Sequence, residues 1–188
     1  MRWQRLFADL QAELEAAQAS ADRSEDASRA RLETGAVRLA DRLGGALGRE
    51  LVLGCRGAGQ LRGVLSEVGS GWLLLTEGGG QELLVATATV RTVAGLDRAT
   101  AVPSAGEVGR RLDLRWAVRG LARDRSPVQV LLDDGGVLTG TVDRVGADFL
   151  ELAEHAADEH RRTAAVRGVR GIALEAVAAV RRLAPALD

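Results

Sequence analysis

Through the first fifty positions apolar residues recur every three or four places. Leu6, Phe7, Leu10, Leu14, Ala17 and Ala21 draw one narrow stripe along a helix, about the width of a coiled-coil seam. Ser20 to Ser28 is polar, and helical spacing returns from Ala30 to Leu47 through Leu32, Val37, Leu39, Leu43 and Leu47. Gly44, Gly45 and Gly48 weaken the end of that run. The pattern predicts a helical arm over residues 1–37, a hairpin or self-association element, and a short helix over 38–47.

After Gly48 the period falls to two, and the same stretch is written twice. Leu51 to Glu77 aligns with Val128 to Glu154 without a gap, at a constant offset of 77. Leu51, Leu53 and Cys55 then match Val128, Val130 and Leu132, three alternate positions on one face of a first strand. Arg56-Gly-Ala-Gly and Asp133-Asp-Gly-Gly follow, each with the glycine that a tight hairpin with positive φ requires. In the second strand Leu61/Leu138, Leu65/Val142 and Val68/Val145 keep the inward pattern. Gly63/Gly140 stand mid-strand, where a sheet bends or another backbone comes close. Gly69/Gly146 make the next turn, and Leu73/Leu150 with Leu75/Leu152 face inward from a third strand.

Two further strands complete each copy: Glu82–Ala86 and Val90–Gly95 in the first, about Ala164–Leu174 and Ala179–Leu183 in the second, after a polar insertion from His155 to Thr163. A helix over Val108–Asp124, apolar at Leu114, Ala117, Val118 and Leu121, leads into the second copy. Asp97 to Gly106, with Pro103, reads as a linker. The expected class is α+β: two small five-stranded barrels, Sm-like or SH3-like, each preceded by a helix. The expected divisions are an arm at 1–37, barrels at 38–96 and 108–188, and a linker at 97–107.

A helix followed by five strands with a glycine-assisted bend in the second resembles the Sm-like fold of Sm, LSm and Hfq proteins and, more loosely, the C-terminal domain of RimP. The stretch Val130-Leu-Leu-Asp-Asp-Gly-Gly-Val-Leu-Thr-Gly-Thr-Val-Asp-Arg-Val-Gly-Ala-Asp-Phe-Leu-Glu-Leu152 carries the likeness most clearly. The resemblance implies RNA binding and assembly into a homo-oligomer. Where the family reads uridine-rich or adenine-rich RNA it usually carries an asparagine in the third strand; Trp72 and Phe149 stand at the matching places here. An aromatic at that place can stack on a base without reading it.

Composition sharpens this picture in three ways. Charge is balanced, 25 basic against 26 acidic side chains, so no global field advertises nucleic acid, and any such contact is local. Every basic residue is Arg, with no Lys, Asn or Tyr and a single Ile at Ile172, the usage of a GC-rich bacterium. Cys55 is alone, which excludes an intrachain disulfide and suits the cytoplasm. No segment has the run of apolar residues needed to span a membrane, and none is expected to.

Candidate chemistry is thin. The glycines around Gly57 precede a strand where a phosphate loop needs a helix, and a Walker motif is impossible without Lys. Cys55 sits on an inward face, Asp133 and Asp134 suit a turn, and His155 and His160 read as part of a solvated loop. An enzyme, a cofactor and a metal are therefore not expected. The helix before the second copy is basic: Arg111, Arg115 and Arg119, spaced by four, share a face suited to successive phosphates. With Trp72 and Phe149 they form the expected nucleic-acid site for RNA or another single strand. The rival expectation is a scaffold that binds protein partners through its N-terminal helices.

Overall fold

Leu51, Leu53 and Cys55 face one side of β1 (Glu50–Cys55) and are buried there, while Leu61 and Leu65 do the same in β2 (Gly59–Val68). The hairpin between them turns on Gly57 and Gly59, at φ 73° and 68°. In the computed structural model, which describes residues 35–97, 112–156 and 168–183 together with Gln18, this hairpin starts a continuous antiparallel sheet. The strands that follow are β3 (Trp72–Thr76), β4 (Glu82–Ala86), β5 (Val90–Ala94), β6 (Pro127–Leu132), β7 (Val137–Val145), β8 (Phe149–Glu154), β9 (Gly168–Ala173) and β10 (Val177–Arg182). The chain divides into two units, Met1–Leu39 and Ala40–Asp188, and every strand belongs to the second.

The two halves repeat each other pair by pair. Leu53 faces Leu61 as Val130 faces Leu138, Leu73 faces Val85 as Leu150 faces Ile172, and Leu53 faces Val93 as Val130 faces Val180. Irregularities repeat too: β2 shifts register between Leu65 and Glu67, β7 between Val142 and Arg144. The mid-strand glycines explain themselves. A Cβ on Gly63 would lie 2.7 Å from the Thr76 carbonyl oxygen, and one on Gly140 would lie 2.1 Å from that of Ala153.

What is duplicated is the meander and not a closed barrel, and here the expected architecture is corrected. The strand order is β5-β1-β2-β3-β4-β10-β6-β7-β8-β9, one ten-stranded sheet that does not close. Instead of two separate five-stranded barrels, the outer side of β4 takes β10 from the other half, with Ala179 facing Val85, Val180 facing Leu84 and Arg181 facing Leu83. Alternation and turn glycines specify neighbours joined by short hairpins. The strand that meets the outer side of β4 comes from about a hundred residues away, beyond what local pattern encodes.

The cores follow this seam. One gathers Leu51, Leu53, Leu65, Leu73, Leu75 and Leu83 and is completed by Leu131 and Ala179 of the second half. The other gathers Val118, Val128, Val130, Leu150, Leu152 and Ile172 and takes in Trp72 and Leu84 of the first. Each half thus finishes the interior of its neighbour.

Two helices flank the sheet among the described residues. α1 (Leu39–Gly44), shorter than expected, buries Leu43 in the first core. α2 (Leu114–Asp124) buries Val118 in the second; its first residue follows Asp113, whose carboxylate caps it by accepting from the Trp116 N–H at 2.8 Å. Residues 108–111, expected to open this helix, lie outside the described residues. The last strands are displaced from their expected bounds because a 3-10 turn at Leu174–Ala176 separates β9 from β10. The arm expected at 1–37 falls almost wholly outside the described residues.

Candidate nucleic-acid interface

α2 is amphipathic, and its outward face holds the basic residues. Val118 points into the core while Trp116, Arg119 and Arg123 are exposed, at helix positions i, i+3 and i+7 and therefore on one face. Neither Arg119 nor Arg123 is ion-paired among the described residues, whereas Arg115 is half-buried with Asp113 at 3.6 Å. Arg111 lies outside the described residues. Trp116, 49% exposed, borders a cleft of about 180 Å³ floored by Leu74, Leu84 and Val180. Arg182 also lines that cleft, 3.0 Å from Glu82 and 3.6 Å from Asp124.

The two third-strand aromatics meet opposite fates. Both rings lie over a glycine three residues earlier: a Cβ on Gly69 would come within 2.0 Å of the Trp72 ring, and one on Gly146 within 2.3 Å of Phe149. Trp72 is 2% exposed, and its indole N–H donates to the Leu112 carbonyl at 2.7 Å. The Ser70 N–H donates to the same carbonyl at 3.1 Å, so the segment entering α2 covers this ring. A base has no access to it in this arrangement. Phe149 has no such cover among the described residues and is 41% exposed. The structure thus brings Arg115 and Arg119 together with Trp116, which sequence reasoning passed over although it stands three residues before Arg119. Trp72 lines the same cleft as Trp116 but is buried there.

Elsewhere the chemistry is structural. Cys55 is buried, and burial pushes its thiol above the ordinary range, outweighing a hydrogen bond with Thr89 that pulls the other way. Asp134 accepts from the Gly136 N–H at 2.8 Å, the turn-forming role expected of it. His155 departs from expectation: it is 3% exposed rather than solvated. Its Nδ1 donates to the Ala156 carbonyl at 2.8 Å, which leaves Nε2 to accept from the Thr141 hydroxyl at 2.8 Å. His160 lies outside the described residues. Among the described residues no group of His, Cys, Asp and Glu could hold a metal, and no helix is long and apolar enough to cross a membrane.

In comparisons with known proteins, no family model, no curated protein and no solved structure gives a significant match to this chain.

Proposed function

We propose that this chain is a non-enzymatic binding protein for single-stranded nucleic acid, RNA or DNA, and that α2 carries the contact. The observation behind this reading is the exposed Trp116 with Arg119 and Arg123 on the same helix face, neither of them ion-paired among the described residues. An open indole accepts a stacked base of any sequence, and guanidinium groups on the adjoining turns reach phosphates, a combination that tolerates sequence variation. Phe149 offers a second open ring. Kinship with the Sm family belongs to this proposal and rests on the repeated meander at 51–77 and 128–154. The reading assigns the protein to the cytoplasm.

The test is a salt titration of fluorescent single-stranded RNA and DNA binding. Trp116→Leu weakens binding at every salt concentration. Arg119→Glu with Arg123→Glu flattens the salt dependence by about 1.4, at roughly 0.7 for each phosphate no longer neutralised on a single strand. Absence of binding by the wild type at low salt sinks the reading.

A protein-assembly scaffold is the second reading. It is favoured by one observation: β5 and β9, at opposite ends of the strand order, are each paired on one side only among the described strands.

A further inference from the structure

The cleft beside Trp116 is floored by a row of residues that face one another across four strands. Glu67 stands opposite Leu74, Leu74 opposite Leu84, and Leu84 opposite Val180. α2 crosses this row: Asp113, its cap, bridges to Ser70, and its last residue, Asp124, stands 3.6 Å from Arg182. Leu84 and Val180 are buried beneath it, yet about 180 Å³ stays open between helix and sheet. Gly120 keeps part of that space. It lines the cleft in mid-helix, where glycine weakens a helix, and a Cβ there would meet nothing within 4 Å. Close packing among the described residues does not demand it.

The walls carry an uneven charge. Three carboxylates, those of Glu67, Glu82 and Asp124, stand against the one guanidinium of Arg182. Glu82 and Asp124 share that guanidinium. Glu67 has no ion pair among the described residues, and it lines the cleft together with the indoles of Trp72 and Trp116. The matching row of the second half is Arg144, Glu151 and Gly171, and it neutralises itself, with Arg144 at 3.8 Å from Glu151. A carboxylate without a cation, set beside an apolar floor, is thus particular to the first half.

We propose that this cleft binds a small organic cation with a flat apolar body, an arylalkyl amine being the simplest case. The body lies against Leu74 and Leu84, the ammonium meets Glu67, and the indole faces favour a cation over a neutral group. A space of this size, below the usual span of ligand pockets, takes one ring and a short tail. Carboxylates outnumber the guanidinium, so an anion of the same shape is repelled. Trp116 is the one residue this site shares with the proposed nucleic-acid face, and the cation needs no nucleic acid to bind.

Titration calorimetry of the full chain with phenethylamine, phenethyl alcohol and hydrocinnamate compares a cation, a neutral analogue and an anion of similar size. The amine binds with a Kd of about 0.1–1 mM, the range open to so small a ligand. The alcohol binds about tenfold more weakly, the scale of one charge-assisted hydrogen bond, and the anion gives no signal. Glu67→Gln brings the amine down to the affinity of the alcohol while the thermal unfolding midpoint holds. Gly120→Leu fills the cleft, abolishes binding of both, and leaves the midpoint equal or higher, since leucine suits a helix better than glycine. No binding of the amine, equal binding of amine and alcohol, preference for the anion, full affinity in Glu67→Gln, or binding that survives Gly120→Leu overturns the proposal. If Gly120→Leu fails to fold, Glu67→Gln and the three ligands decide alone.

Discussion

Arg181 grips Glu77 across 104 residues of chain: Nε and Nη2 stand 2.7 and 3.0 Å from the two carboxylate oxygens, while Nη1 reaches Gln129 Oε1 at 2.9 Å. Both side chains are mostly buried, and the hydrogen bonds to Glu77 raise the guanidinium above its already high ordinary pKa. The pair ties the end of β3 to β10 and so braces the seam between the halves. Glu77→Ala should cost about 1.5–3 kcal/mol, the usual value of hydrogen bonds to a charged group. Adding Arg181→Met should cost less than the sum of the two single changes, because no unpaired cation then remains in the seam. Urea unfolding of the four proteins in the cycle measures this.

Trp72 and Trp116 should separate cleanly. Trp72→Leu removes a buried ring and leaves the Leu112 carbonyl with one donor fewer, so it should cost about 3 kcal/mol, at the low end for deleting a core aromatic. Trp116→Leu should leave stability within about 0.5 kcal/mol, as exposed helix positions generally do. Thermal unfolding of the two variants tests both claims.

The glycines under the aromatic rings make a matched pair. Gly69→Ala forces a buried Trp72 to move and should cost about 1–3 kcal/mol, as overpacking does. Gly146→Ala should cost less, because the half-exposed Phe149 can swing toward water. Equal losses in denaturant midpoint would show that the ring contact is not what selects glycine.

Thr141 and His155 form a closed polar pair between β7 and the end of β8. His155→Leu strands a hydroxyl that is 1% exposed and should cost about 1–3 kcal/mol. Thr141→Val in the same chain should return part of that loss. Chemical denaturation reports both.

Cys55 ties stability to pH with a definite sign. Its thiol titrates higher in the fold than in the unfolded chain, so the unfolded state ionises first as pH rises past the ordinary thiol range. Stability should therefore be intact below that range and fall above it, and Cys55→Ala should remove this component of the fall. Alkylation at neutral pH should be slow and scale with the fraction of chains transiently open. Fast labelling of the native protein would show an accessible thiolate.

Each hairpin is legible in the chain alone. Two-residue alternation at Leu51–Cys55 and Val128–Leu132 has a single buried solution for each strand, and the glycines at 57, 59 and 135 have positive φ because local sterics reserve that conformation for them. Gly63 and Gly140 announce a close backbone approach, and the carbonyls of Thr76 and Ala153 are there. Arg115 and Arg119 are readable as one helix face because helix geometry is local.

Only the tertiary structure decided how the halves meet. Closing each meander on itself and pairing β4 with β10 use the same strands and the same alternation; they differ in which distant partner satisfies the outer side of β4. That choice depends on Leu131 and Ala179 completing one core, Trp72 and Leu84 completing the other, and Glu77 finding Arg181. The same packing decides the fate of equivalent residues. Trp72 and Phe149 occupy one sequence position in two copies, and one is buried while the other is open, because the segment entering α2 passes over the first alone. Sequence periodicity sets which face of an element is apolar. What that face lies against is set by packing between residues far apart in the chain, and pattern carries no record of it.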